Sequence, residues 1–474
     1  MSAAAVLGWL VLAALAPGAA HLRAGWRKTG LILLGCYAAG LLALLAVRLS
    51  TDNLLGDLTQ DSWLTGITAG AVVLGVAWFA LIVHSFIVLR PGSLPQAGQV
   101  LVGTFAGLLA VVVVLPFGMV TSYVWTSRET LNNIFVNEGT PDPDPQAEQT
   151  TARPEDPWAG RTRVNILLIG GDADDNRIGV RTDSMNVATV DVKTGNTVLV
   201  SLPRNLENVR FRPGTPMAQH FPNGFRLPPD PGGGRSDLLN SVWEYADAHP
   251  EIFGGKQHQG PKVLMDTIGY TLGLKVDWYA LVNMWGFARL IDAIGGVTLT
   301  VEQDVVFGRY NEGLVKAGTR KLKGADAMWY ARSRTYSDDF TRMRRQRCVI
   351  GALLDQADPA TVLTRFNRIA GATKELIRTD IPRPMLKHLV PLALQVKNAK
   401  VTSIQFVPPL ISTVSPDWAK IRAITDKAIR DSAGGRPTAA TASPESTPKS
   451  TKSPSAKKKE SDPTKTLTEG CGSL

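Results

Sequence analysis

The chain has 474 residues, 44% of them hydrophobic and only 19% charged, with a formal net charge of +10. The length allows more than one domain, and the charge favours anionic partners: nucleic acid, acidic lipid or acidic polymer. No P-loop, GxGxxG, GxSxG elbow or HExxH occurs, and the six histidines and three cysteines match no zinc or CxxC spacing, which sets aside the nucleotide-loop, α/β-hydrolase and zincin classes.

Four apolar runs open the chain, roughly Ala3–Ala20, Leu31–Leu49, Thr65–Leu89 and Val100–Trp125, none with an acidic residue. A bilayer core takes about 20 apolar residues per helix, so residues 1–130 read as an α-helical membrane anchor of four transmembrane helices. Pro17 interrupts the first run; without a basic leader it reads as a helix, not a signal peptide. His84 falls near the end of the third run. The loop HLRAGWRK carries Arg23, Arg27 and Lys28, the next loop (STDNLLGDLTQDS) has three aspartates and no base, and Arg90 marks the third. Positive loops stay in the cytoplasm. Four crossings then place everything after Trp125 outside, which argues against a nucleic-acid partner.

Residues 131–160 read as a spacer, Pro-rich and acidic between Asn137 and Pro157. Residues 432–474 are Ala, Ser, Thr, Pro and Lys-rich, with Lys457–Lys459 in a row, and read as a disordered tail. Between them, residues 161–431 alternate strand and helix signals. VNILLIGGD, MNVATVDV and NTVLVSLP are strands, the last two split by the turn KTGN. GFARLIDAIGG is a helix stopping at Gly295, VTLTVEQDV a strand, GADAMWYA a helix, and TRMRRQRCVIGALLDQA a helix capped by Asp338 or Asp339. The pattern predicts an α/β domain with a mixed central sheet between helices.

Asp172 follows the first strand and Asp183 opens the second. Strand ends meet at a common crevice, where two carboxylates could hold magnesium; taken singly, each is equally a turn or capping residue. The stretch YARSRTYSDDFTRMRRQR packs six arginines into eighteen residues. Arg332 and Arg334 point the same way if that segment is extended. Arg342, Arg345 and Gln346 share one helix face, while Arg344 and Arg347 lie off it and read as solvated. Forked, permanently charged guanidiniums suit phosphate. His220, His249 and His258 read as surface loop residues. Cys348 and Cys471 either pair, in an oxidising compartment, or remain two unrelated thiols.

NILLIGGD, RTDSM, SLPRN, DAIGGV and YARSR…DDFTRMRRQ, in that order over Arg161 to Ala360, resemble the LytR–CpsA–Psr family. The resemblance implies a bacterial multi-pass membrane protein with an extracytoplasmic α/β/α domain. It also implies a phosphotransferase that moves a glycopolymer (teichoic acid, capsule or arabinogalactan) from a polyprenyl-pyrophosphate carrier onto peptidoglycan, with the lipid in an apolar tunnel. It matches Asp172 and Asp183 to magnesium, and Arg181, Arg204, Arg332, Arg334 and Arg342 to the pyrophosphate, with Gln346 and Arg345 beside them. Asp183, Arg204, Arg332 and Arg334 are the catalytic set. A lipid pyrophosphatase, a non-catalytic polyanion tether and a transcription attenuator are the alternatives. Two positions depart from the family pattern: Asn205 replaces an aspartate, and Leu238 replaces a lysine whose phosphate contact Arg235 could supply.

Overall fold

A computed structural model describes residues 2–50, 53–135, 157–172, 180–229, 231, 234–358, 361–362, 377–433, 463–467 and 469–471. It divides into two compact units, Met1–Asn132 and Asn133–Leu474. Most of the expected spacer, residues 136–156, lies outside the described residues.

The first unit is helical: α1 (Ala3–Leu15), α2 (Ala19–Arg23), α3 (Arg27–Ser50), α4 (Leu54–Asp57), α5 (Asp61–Val88) and α6 (Gln96–Ile134). Among the described residues three helices are long and apolar enough to cross a membrane: α3, α5 and α6 over Gln96–Asn132. The first apolar run is not one of these three. It breaks at Pro17 and at Gly18, whose φ is 102°. The 13 residues of α1 reach about 20 Å at the helical rise, short of a hydrocarbon core about 30 Å thick. Instead α1 buries Val6, Leu10 and Ala13 against Leu89, Leu94, Val102 and Ala106. The long helices keep leucine and valine on the outside, for example Leu31, Leu42, Val73 and Val111, as a lipid solvent allows. His21 of α2 meets His84 near the end of α5, ring nitrogens 2.7 Å apart.

The second unit is built on a seven-stranded sheet of order β11-β10-β3-β2-β1-β4-β9. Its strands are β1 (Arg163–Asp172), β2 (Arg181–Asp191), β3 (Thr197–Leu202), β4 (Trp278–Asn283), β9 (Ile377–Thr379), β10 (Val401–Gln405) and β11 (Lys465–Thr466). β1–β4 and β3–β10 pair in parallel and the other neighbours antiparallel, so the sheet is mixed as expected. Alternate residues point to opposite faces. Leu167, Ile169, Val187, Val200, Leu281 and Ile404 turn one way. There they pack on α9 (Gly260–Leu272) through Leu264 and Ile268, and on α14 (Trp418–Ala433) through Ile421 and Ala428. The insertion Arg210–Arg235, unread in the sequence, closes this core with Phe211 and Phe225 and contains the short α7 (Pro216–His220), followed by α8 (Val242–Ala248).

On the other face Gln405 donates to the Met343 carbonyl at 2.8 Å, fixing α12 (Asp339–Gln356) to the sheet. A second core joins α12 to α10 (Met284–Ala293), α11 (Gly324–Arg332) and the two-stranded sheet of β5 (Val297–Val301) and β8 (Gly318–Leu322). Beside it lies the hairpin β6 (Val305–Phe307) and β7 (Gly313–Val315). Helix α13 (Leu386–Lys397) precedes β10.

One expectation is corrected: the tail is not disordered throughout. Helix α14 continues through Ala433, and the far end adds β11 to the sheet edge. There Leu467 is buried against Gly351 and Cys471 is disulfide-bonded to Cys348. Residues 434–462 lie outside the described residues.

Candidate active site

The register of β1 on β2 explains where Asp183 stands. Gly170 faces Ser184 and Gly171 faces Thr182, so Asp183 is the extra residue of a β-bulge. A bulge bends its strand and re-aims a side chain. The carboxylate meets Arg204, which follows β3 after Pro203, at 2.5 Å. Arg204 Nε also reaches the Asp339 carboxylate at 3.2 Å.

Helix α12 brings the remaining charges. Asp338 caps it, accepting from Thr341 N at 2.6 Å, which leaves Asp339 at the first helical position free of capping duty. Arg342 donates to the Asp183 carbonyl at 2.9 Å and lies 3.1 Å from the Asp339 carboxylate. Arg334 lies 4.0 Å from the same carboxylate, its side chain 53% exposed. Arg342 is almost wholly buried, and its Nε has no partner among the described residues. Burial pushes its guanidinium below the ordinary arginine value, Asp339 works against that shift, and Arg204 adds to it. Asp183, Arg204, Arg342, Gln346 and Gln405 line one small cleft. These cations converge with only two described carboxylates between them, and an anionic group would relieve the repulsion.

The residues 136–411 match the LytR_cpsA_psr family model, more than half of the chain. The chain belongs to the LytR_cpsA_psr family. Among its relatives is a polyisoprenyl-teichoic acid–peptidoglycan teichoic acid transferase TagU of Halalkalibacterium halodurans, 29% identical over 223 residues, which are 46% of this chain and 60% of that protein. The TagU of Oceanobacillus iheyensis is 27% identical over 290 residues, covering 60% of this chain and 78% of the relative. A solved Streptococcus agalactiae structure aligns with TM-score 0.44 at 21% identity, over 58% of this chain and 90% of that one.

Of the residues matched through the LytR_cpsA_psr motifs, Asp183, Arg204, Arg334 and Arg342 come together. Arg332 ends α11, half-buried, its guanidinium 5.4 Å from the Trp329 ring. The Arg332–Ser333–Arg334 segment is therefore a helix end and not an extended strand. Arg181 starts β2, exposed and opposite Asp172; Asp172 is described by its backbone alone. Gln346 lines the cleft and donates to the Ala331 carbonyl at 3.3 Å. Arg345 does not open onto the cleft. It is 5% exposed and donates to the Ser333 carbonyl at 3.0 Å, so it holds the arginine loop. The solvated reading of Arg347 is corrected too. Arg347 is buried and donates to the Glu469 carbonyl, and Arg344 pairs with Glu302 at 2.8 Å.

Arg235 pairs with Glu207 at 2.7 Å and with Asp237 at 2.8 Å and is not among the residues lining the cleft. Asn205 has a buried side-chain oxygen without a partner among the described residues. Sequence reading treated Asp339 only as a capping candidate. The signal for more was the doublet Asp338–Asp339 ahead of an arginine helix, since one aspartate suffices for a cap. For magnesium the described residues offer no group of three His, Cys, Asp or Glu. Magnesium needs only one or two carboxylates when phosphates fill other positions, and Asp183 with the position of Asp172 fits that smaller demand.

Proposed function

We propose that this chain transfers a glycopolymer from a polyprenyl-pyrophosphate carrier to peptidoglycan, forming a phosphodiester. The observation carrying the reading is the convergence of Arg204, Arg334 and Arg342 around Asp183 and Asp339, with the Arg342 guanidinium almost wholly buried. In the reaction an acceptor sugar hydroxyl attacks the phosphorus nearer the glycopolymer. The new P–O bond forms, the bond to the bridging oxygen breaks, polyprenyl phosphate leaves, and the hydroxyl proton passes to a base. Arg204 and Arg342 hold the phosphate oxygens and neutralise charge on the leaving side; phosphoryl transfer depends mainly on such positioning. Asp183 and Asp339 are the described carboxylates among these arginines. Asp172 and Asp183 would hold a magnesium ion, which supplies further charge neutralisation at the phosphates.

The loop charges support an extracytoplasmic second unit. Arg23 precedes α3 and Arg27 and Lys28 open it, and Asp52, Asp57 and Asp61 follow it. With a cytoplasmic start to α3, the positive-inside rule supports a second unit outside the cell membrane, whether or not α1 crosses. The disulfide Cys348–Cys471 suits an oxidising exterior. Teichoic acid, for which the relatives are named, and arabinogalactan are both compatible glycopolymers.

The test uses Arg204→Ala and Arg342→Ala in the detergent-solubilised full chain. Each is expected to lose about 10²–10³ in kcat, and chelation should lower wild-type activity until magnesium is restored. Full activity in both variants would sink the assignment.

A further inference from the structure

Two of the most exposed aromatic side chains in the second unit flank the arginine loop. Tyr310 is 80% exposed and Tyr336 84% exposed. Tyr336 has φ 56°, a left-handed conformation that a bulky residue rarely adopts and that concentrates at ligand-handling loops. A turn encloses it: Ser337 N donates to the Arg334 carbonyl at 3.0 Å, and Thr335 N to Ser333 Oγ at 3.2 Å. Tyr310 lies in the tip of the β6–β7 hairpin, its N–H donating to the Glu312 carboxylate at 2.8 Å.

The hairpin and the arginine loop are fastened together. Ser333 Oγ donates to the Val306 carbonyl at 2.5 Å. Tyr336 stands three residues from one end of that bond and Tyr310 four from the other, so both lie within a short reach of it. In the same two elements Phe307 stacks on Trp329, centroids 5.0 Å apart and planes 8° apart, and the Arg332 guanidinium lies over the same Trp329. The aromatic shelf therefore ends in one of the candidate phosphate-binding arginines.

Resting on the phosphotransferase reading, we infer that Tyr310 and Tyr336 form the rim of the acceptor-saccharide site. Their rings pack on the C–H faces of sugars, and they bring the attacking hydroxyl toward the phosphorus near Arg332 and Arg334. Tyrosine offers broad, rigid, amphipathic contact at little entropy cost. The occupant is the acceptor glycan and not the anionic donor. The charges at the hairpin tip, Arg309 and Glu312, offset one another, which suits a neutral amino-sugar chain. An open surface also admits a polymer that must continue past the site on both sides. The acceptor O–P bond still forms as the bond to polyprenyl phosphate breaks.

The experiment compares wild type, Tyr310→Ala, Tyr336→Ala, the double variant and Tyr336→Phe in the full chain. Donor and solubilised peptidoglycan fragments are varied separately. Each alanine should raise the acceptor KM about tenfold, leaving donor KM within about twofold, while Tyr336→Phe behaves as wild type. An unchanged acceptor KM in the double variant overturns the rim and leaves the transferase reading standing. Absence of transfer by wild type overturns that reading instead. Calorimetric titration of the same fragments then decides the rim alone: weaker binding by the double variant supports it, while equal binding or none by wild type overturns it.

Discussion

At Asp339 one carboxylate meets three guanidiniums, with contacts of 3.2 Å to Arg204, 3.1 Å to Arg342 and 4.0 Å to Arg334. Without it those cations would repel one another across the cleft. Asp339→Asn keeps the shape and removes the charge, so the arginines should lose their common orientation. The expected result is a fall in kcat of about 10–100-fold with donor KM changed less, since 1.4 kcal/mol corresponds to tenfold. A variant with wild-type kcat would show that Asp339 is only a helix-end residue. A second aspartate acts on stability. Burial and nearby Asp277 push the Asp380 carboxyl up to about 7, although Tyr279 N donates to it at 2.7 Å. The folded form then keeps a proton that the unfolded chain releases near pH 4. Stability from this group is full below about pH 4 and is lost toward pH 7, by at most about 1.4 kcal/mol per unit. Asp380→Asn should flatten that part of a denaturation series run from pH 4 to 8; an unchanged slope would contradict the protonated state.

Helix α12 shows which features of an element can be read before its neighbours are known. Its start was legible because Asp338 caps locally, and its helical spacing put Arg342 and Gln346 on the cleft. The fate of Arg345 and Arg347 was not legible. Each is buried by a segment distant in sequence or across a loop, Arg345 under Ser333 and Arg347 under Glu469. The strands β1, β2 and β3 could be read from their apolar runs, whereas β11 could not, because Lys465–Thr466 has no apolar pattern and is positioned by the Cys348–Cys471 bond. The bulge at Asp183 was equally hidden, since it exists only in the register with β1. The disulfide closes a separation of 123 residues and fastens the back of α12. Cys471→Ser should lower stability by about 2–4 kcal/mol, read as a fall in Tm, while mild reductant should do the same to wild type and leave the variant unchanged. Equal Tm values would contradict a structural role for the tail.

Across the whole molecule, composition separates the two units. The apolar excess lies in α1 to α6, and Arg204, Arg334 and Arg342, on which the proposed transfer rests, lie in the second unit. Family membership and the α/β domain with its mixed sheet agree with the motifs in the chain; the helix break at Pro17 and Gly18 did not follow from the apolar composition of the first run. The account turns on whether the phosphate is passed to a sugar. The direct measurement is incubation of the purified full chain with a polyprenyl-pyrophosphate glycopolymer donor, with and without peptidoglycan, followed by mass analysis of the products. Phosphodiester-linked glycan together with released polyprenyl monophosphate, formed only when acceptor is present, is the predicted result. Release of free phosphorylated glycan at the same rate without acceptor, and no linked product with it, would contradict the account.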